Sequence, residues 1–263
     1  MKVFKDDFKK AVATGEYIGT GNPNANILII GCECAVDKDS KQEKEEVIAN
    51  VQNWQENIDK AEKGINIEIT DNCSSTNPLY PYKGQKLKMD NGQNCGTSRT
   101  WFNYQKLCNM IFDSKDEKNN NTINFHERFF LTEFSTITSQ SKKAIEENND
   151  RKKLRQESIK KRADLFHQSA FFNSFPIIIV ATGGAPYVDN KNVKLWEIFN
   201  VDYKEEESGK EDKIYYHIHR NKEGQTPQLI IHTWQFAANI SNKFLGVLSK
   251  LCKDFLIENG MEL

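Results

Sequence analysis

Four short apolar runs interrupt an otherwise polar chain, and each one ends in small or chemically versatile residues. Ile27-Leu28-Ile29-Ile30 lies between Asn22-Pro23-Asn24-Ala25-Asn26 and Gly31. A continuous apolar run of this length between turn formers reads as a strand buried on both faces. Arg128-Phe129-Phe130-Leu131-Thr132-Glu133-Phe134, Pro176-Ile177-Ile178-Ile179-Val180-Ala181 and Leu229-Ile230-Ile231-His232 repeat the pattern. Ile214 to His219 predicts a further strand, separated from the last by the turn formers of Arg220 to Gln228.

Between these runs the spacing changes from strand to helix. Val47, Ile48, Val51, Trp54 and Ile58 recur at near-helical intervals within Lys41 to Lys63, and Gly64 ends the pattern. Trp101, Tyr104, Leu107, Cys108 and Ile111 form a second stripe, in which Trp101 reads first as a core residue. A helix over about Asp150 to Phe172 is expected to bury Leu154, Ile159, Ala163 and Phe166, and a last helix over Ser241 to Glu258 to bury Phe244, Leu245, Leu248, Leu251, Cys252 and Phe255. The acidic tract Lys204 to Lys213 reads as a surface loop.

Strands alternating with helices predict a parallel sheet with right-handed crossovers and helices on both faces. The expected architecture is a three-layer α/β/α sandwich around a mainly parallel four-stranded sheet. At 263 residues the chain suits one α/β domain, 1–263, with a loop-rich insertion at about 65–99 beside the site.

Composition removes several function classes. No run approaches the roughly 18–20 apolar residues of a membrane span, and Met1 to Asp7 lacks the apolar core of a signal peptide, so a cytoplasmic location is expected and no membrane partner. The six cysteines show no CxxC pair, which points to reduced thiols and to no metal or other cofactor. Gly183-Gly184-Ala185-Pro186 lacks the lysine of a P-loop. His217-x-His219 points two imidazoles to one strand face without an evident third metal ligand. The net charge of −1 signals no global attraction to nucleic acid. A basic stretch from Lys142 to Arg162, broken by Glu146, Glu147, Asp150 and Glu157, is either a phosphate-facing surface or a solvated helix face.

In open α/β sheets, ligands bind beyond the carboxyl ends of the strands. Glu33, Asp37 and His232 are therefore the catalytic candidates, and Gly31, Cys32, Glu133, Tyr80, Tyr82 and Trp234 the substrate-binding ones. Tyr187 joins the aromatics available for stacking on a base.

The order of these pieces resembles the uracil-DNA glycosylase superfamily over most of the chain. Ile27 to Ala35 is similar to that family's first motif, a strand followed by a loop that reads Gly-Glu-Ala-Pro-Gly in some branches. Phe130-Leu131-Thr132-Glu133 resembles the strand whose end reads the base, Ile177 to Gly183 the third strand, and Ile230-Ile231-His232-Thr233 the closing histidine motif. The chain departs from the pattern at Cys34, where proline is usual, at Glu133, where asparagine is frequent, and at Thr233-Trp234, where Pro-Ser follows the histidine.

The resemblance implies a divergent DNA glycosylase, a hydrolase of DNA repair that binds DNA and cleaves a base–sugar bond. His232 would stabilise the leaving base, Glu33 or Asp37 would serve water or sugar, and Glu133 would contact the base. A His232→Ala variant is then expected to be inactive. An ionised Glu133 only accepts hydrogen bonds and would favour a base edge presenting N–H groups over uracil, unless it pairs with a basic residue of the following helix. The alternative is a non-catalytic nucleic-acid or nucleotide-binding module on the same fold.

Overall fold

The computed structural model describes residues 3–36, 38–67, 76–89, 92, 93, 95, 97–112, 121–139, 145–188 and 194–263. Its centre is one mixed sheet. The strands are β1 (Thr20–Gly21), β2 (Ile27–Glu33), β3 (Phe129–Ser135), β4 (Ile177–Ala181), β5 (Val201–Glu211), β6 (Ile214–Asn221) and β7 (Leu229–Thr233), in the spatial order β1-β3-β2-β4-β7-β6-β5.

The expected four-stranded sheet is thus corrected to seven. Strands β3, β2, β4 and β7 run parallel in the middle, while β1 pairs antiparallel at one edge and the β6–β5 hairpin extends the other. The missed strands have identifiable causes. β1 has only two residues, too few for any hydrophobic period. β5 takes in most of the acidic tract that reads as a loop. As the outermost strand it carries Glu205, Glu206, Glu207 and Glu211, and charge on an edge discourages pairing with another chain.

Helices α1 (Asp6–Ala13), α2 (Lys41–Glu43), α3 (Asn50–Glu62), α4 (Arg99–Ile111), α5 (Asn149–Gln168), α6 (Ala170–Asn173), α7 (Leu195–Ile198) and α8 (Asn242–Glu258) cover both faces. On one face Leu28, Ile30, Phe130, Ile178, Val180 and Ile230 pack against Phe8 of α1, Trp54 and Ile58 of α3, Ile159 and Phe166 of α5 and Phe171 of α6. On the other, Ile27, Ile29, Phe129, Leu131, Ile179 and Ile231 pack against Tyr104 and Leu107 of α4 and Leu245, Leu248 and Cys252 of α8. Burial on both faces is why these strands read as unbroken apolar runs.

Two helices differ from the pattern in ways that bear on function. The segment expected as one helix from Lys41 to Lys63 is divided: Lys44–Ile48 forms a π-helix between α2 and α3. In α5 the predicted core residue Leu154 is 50% exposed, and the inward stripe is Arg155, Ile159, Arg162 and Phe166. Arg162 turns inward because its guanidinium reaches polar partners around the end of β3, and Arg155 because it reaches Glu146 and the face of the Tyr187 ring.

Arg162 donates from Nε to Glu133 O at 3.0 Å, from Nη2 to Thr132 Oγ1 at 2.7 Å and from Nη1 to Tyr17 O. Arg155 bonds Glu146. Charge-assisted bonds of this kind offset much of the cost of burying a cation.

No helix among the described residues is long and apolar enough to cross a membrane, and among them the cysteines form no disulfide.

Candidate functional site

Beyond the carboxyl ends of β2 and β3 lies a cavity of about 460 Å³. Glu33 and Glu133 enter it from the two strands, Tyr104 and Trp101 from α4, and Tyr17 from the loop before β1. Glu46 comes from the π-helix and Tyr82 from the expected insertion, together with Gln85, Thr97 and Ser98. A larger groove of about 700 Å³ between α5 and α7 holds none of the candidate catalytic or substrate-binding residues.

The two glutamates meet because of register. β2 and β3 are parallel, with Gly31 opposite Glu133 and Glu33 opposite Ser135. Alternate residues share a face, so both carboxyl groups leave the sheet on the α4 side, where Ile29 and Leu131 also point. Gly31 is required beneath them: a Cβ at this position would stand 2.3 Å from Glu133 Oε2.

Glu133 Oε2 is withdrawn from solvent and accepts no hydrogen bond among the described residues. Burial, followed by the negative charge of Glu33, pushes the Glu133 carboxyl up to about 8, against a smaller pull downward from Arg162. Near neutral pH Glu133 is therefore mainly a neutral acid. It offers an O–H donor as well as a carbonyl acceptor, the pair of groups that an asparagine side chain also presents. The raised carboxyl runs against the expectation of an ionised, acceptor-only Glu133.

Glu46 is a half-buried acid that the sequence reading did not single out. Its carboxyl is raised by burial, while hydrogen bonds from Tyr82 and Gln42 act in the opposite direction. Tyr82 itself has φ +55°, a left-handed conformation that is costly for a bulky aromatic residue and tends to concentrate at functional sites. Its ring meets Trp101 edge to face at 5.3 Å. A π-helical turn has the same association with function. Neither a backbone sign nor a π-turn can be read from hydrophobic spacing.

Other predicted residues lie elsewhere. His232 pairs with Val180 in the sheet, and so projects on the face of Ile30 and Val180, opposite to Glu133. Its Nε2 stands 2.6 Å from Gly183 O and must donate there, since a carbonyl only accepts. Burial lowers its pKa, so the imidazole is neutral at neutral pH. His232 does not line the cavity with Glu33.

Cys32 contacts Thr182 O and Gln235 Oε1, each at 3.5 Å. Tyr80 and Tyr187 are core residues, whereas Trp234 is 51% exposed outside the cavity. Asp37 lies outside the described residues. His217 lies 5.8 Å from His232 between ring centres, yet no group of three histidine, cysteine, aspartate or glutamate residues among the described ones could hold a metal ion.

The basic stretch is largely engaged. Arg155 and Arg162 are buried, Arg151 bonds Thr138 O, and Lys152 and Lys161 pair with Glu146 and Glu16. Lys142 and Lys143 lie outside the described residues. Lys153 and Lys160 remain on the exposed side of α5.

Comparison with protein-family models finds no match, and neither does comparison with the sequences of curated proteins.

Proposed function

We propose that this chain hydrolyses the N-glycosidic bond of a nucleobase held between Glu33 and Glu133, with DNA as the carrier of the base. The observation that carries this reading is the placement of two glutamates from adjacent strand ends in one cavity lined by Tyr17, Tyr82, Trp101 and Tyr104. Aromatic walls accept the π-face of any base. Two carboxyl groups in unequal environments are the equipment of glycoside hydrolysis, in which one orients water or steadies the sugar cation and the other meets the leaving group.

In this reading Glu133, neutral near pH 7, binds the base edge, and Glu33 receives the proton of the attacking water. The N-terminus of α4 at Ser98 and Thr100 is placed at the cavity wall, where its free N–H groups would favour a flanking phosphate. The uracil-DNA glycosylase-like, three-layer α/β/α arrangement belongs to the same proposal. Its support is the parallel core β3-β2-β4-β7 with helices on both sides.

One observation favours a second reading, a nucleic-acid or nucleotide-binding module without catalysis. His232, the residue in the place of the family's closing histidine, is tied to Gly183 away from the cavity.

The test is formation of alkali-labile abasic sites in labelled single- and double-stranded DNA carrying uracil, hypoxanthine, xanthine or N-methylated purines. Cleavage by the wild type and its loss in Glu33→Gln supports hydrolysis. Salt-sensitive DNA binding with no abasic product from any substrate would establish the binding module instead.

A further inference from the structure

Among the described residues, the ionisable side chains that line the cavity are all acidic. Among its described lining residues are Glu33, Glu46 and Glu133, and no lysine, arginine or histidine. The nearest cation is Arg162, but its guanidinium is spent on Glu133 O, Tyr17 O and Thr132 Oγ1 behind β3. Glu133 Oε2, buried and without a hydrogen-bond partner among the described residues, is the polar atom the cavity leaves to a ligand.

Such a site is poorly suited to a base that departs as an anion. Uracil leaves with negative charge on its ring, and stabilising that charge calls for a donor cation or an oriented histidine. Here the charge would develop beside the Glu33 carboxylate and Glu46, with no basic side chain among the described lining residues, and His232 is on the opposite face of the sheet.

A base that is already cationic reverses the problem. Its charge is attracted by the Glu33 carboxylate and by Glu46 at the wall, while the neutral Glu133 still offers it a carbonyl acceptor; its ring is attracted by the electron-rich faces of Tyr17, Tyr82, Trp101 and Tyr104, and it leaves neutral.

We propose that the cavity selects a nucleobase carrying a formal positive charge, a ring-alkylated purine, ahead of neutral bases. The inference rests on the glycosylase reading and names its substrate class. In the chemical step, the oxygen of water bonds to C1′ as the C1′–N bond breaks. The electron pair of that bond returns to the purine and cancels its positive charge, and the proton of water passes to Glu33. No proton has to reach the base. Glu46 is the specificity-determining residue, since it adds negative charge at the wall and is anchored by the Tyr82 hydroxyl.

Two measurements separate this inference from the reading beneath it. The first is calorimetric titration of the protein near neutral pH with 7-methylguanosine, whose methylated imidazolium ring keeps its formal positive charge there, and with guanosine. The methylated nucleoside is expected to bind roughly tenfold more tightly, and Glu46→Gln to abolish most of that preference with little effect on guanosine. Glutamine keeps an acceptor for Tyr82, and an unchanged thermal transition checks that the variant folds. Equal or tighter binding of guanosine by the wild type would overturn the inference, whatever the enzyme does to DNA.

The second is chromatographic release of free bases from methylated DNA, compared with uracil- and hypoxanthine-containing DNA. Faster release of methylated purines supports the inference. Faster release of uracil or hypoxanthine overturns it and leaves the glycosylase reading intact. Release from none of them, with the binding preference present, keeps the cation selectivity and removes the hydrolytic reading.

Discussion

Gly31 and Glu133 face each other in the parallel register of β2 and β3, and the Glu133 carboxyl occupies the space that a side chain at residue 31 would need. The atoms a new Cβ would meet are Glu133 Oε2 at 2.3 Å, Cδ at 3.0 Å and Oε1 at 3.1 Å. These are the end of a flexible side chain, so Gly31→Ala is expected to displace the carboxyl rather than the sheet. Stability should fall by about 1–3 kcal/mol, while nucleoside affinity falls at least tenfold. Denaturant unfolding and calorimetry on the same variant check both parts.

The raised Glu133 pKa has a consequence for stability. The folded state holds this proton up to about pH 8, whereas an unfolded glutamate loses it near the ordinary value of 4.5. Between those limits the folded state binds more protons, so its stability must fall as pH rises, with a slope of at most about 1.4 kcal/mol per pH unit. Glu133→Gln is expected to flatten the slope between about pH 5 and pH 8, as measured by urea unfolding at several pH values.

His126 supplies the opposite slope at lower pH. It is fully buried, stacked on Phe125 with ring centres 4.1 Å apart, and burial pushes its pKa down to about 3. The unfolded chain takes up this proton near 6.5, so stability is lost as pH falls from there toward 3. His126→Phe is expected to extend the acid tolerance of the fold, seen as a higher melting temperature at about pH 4 relative to the wild type.

The parallel core was legible because strands buried on two faces leave unbroken runs such as Ile27 to Ile30, and α4 and α8 because their stripes kept helical spacing. Strand ends were legible too, which is how Glu33 and Glu133 were singled out. What escaped the sequence depends on the third dimension. Leu154 is exposed while Arg155 is buried, because the Arg155 guanidinium pairs with Glu146 and lies over the Tyr187 ring. Glu46 and Trp101 look like a helix surface and a core position until the π-turn and Tyr82 bring them to one cavity. Strand order decides the fate of His232: its phase and its bond to Gly183 place it away from the glutamates that precede it in the chain.

His232→Ala provides a contrast between sequence and structure. The resemblance implies an inactive variant, but the imidazole donates to Gly183 O outside the cavity. We expect the variant to lose about 1–2 kcal/mol of stability, the order of one buried hydrogen bond with its contacts, and to retain base binding within a few-fold. Thermal unfolding and nucleoside titration of the purified variant decide the matter.

Arg162 ties α5 to the end of β3 and to the loop before β1. Arg162→Met would leave Glu133 O, Tyr17 O and the Thr132 hydroxyl without their donor in a buried setting. A loss of about 3–5 kcal/mol is expected, enough to be plain in a chemical unfolding curve.

The central claim is that Glu33 and Glu133 form the working pair of an N-glycosidic hydrolase. Its most direct measurement counts abasic sites and free base together, from methylated and uracil-containing DNA, for the wild type, Glu33→Gln and Glu133→Leu, the latter having neither donor nor acceptor. The account predicts equal amounts of the two products from the wild type, with each substitution reducing the rate at least a hundredfold. Undiminished product from both variants, or none from the wild type on any substrate, would contradict it.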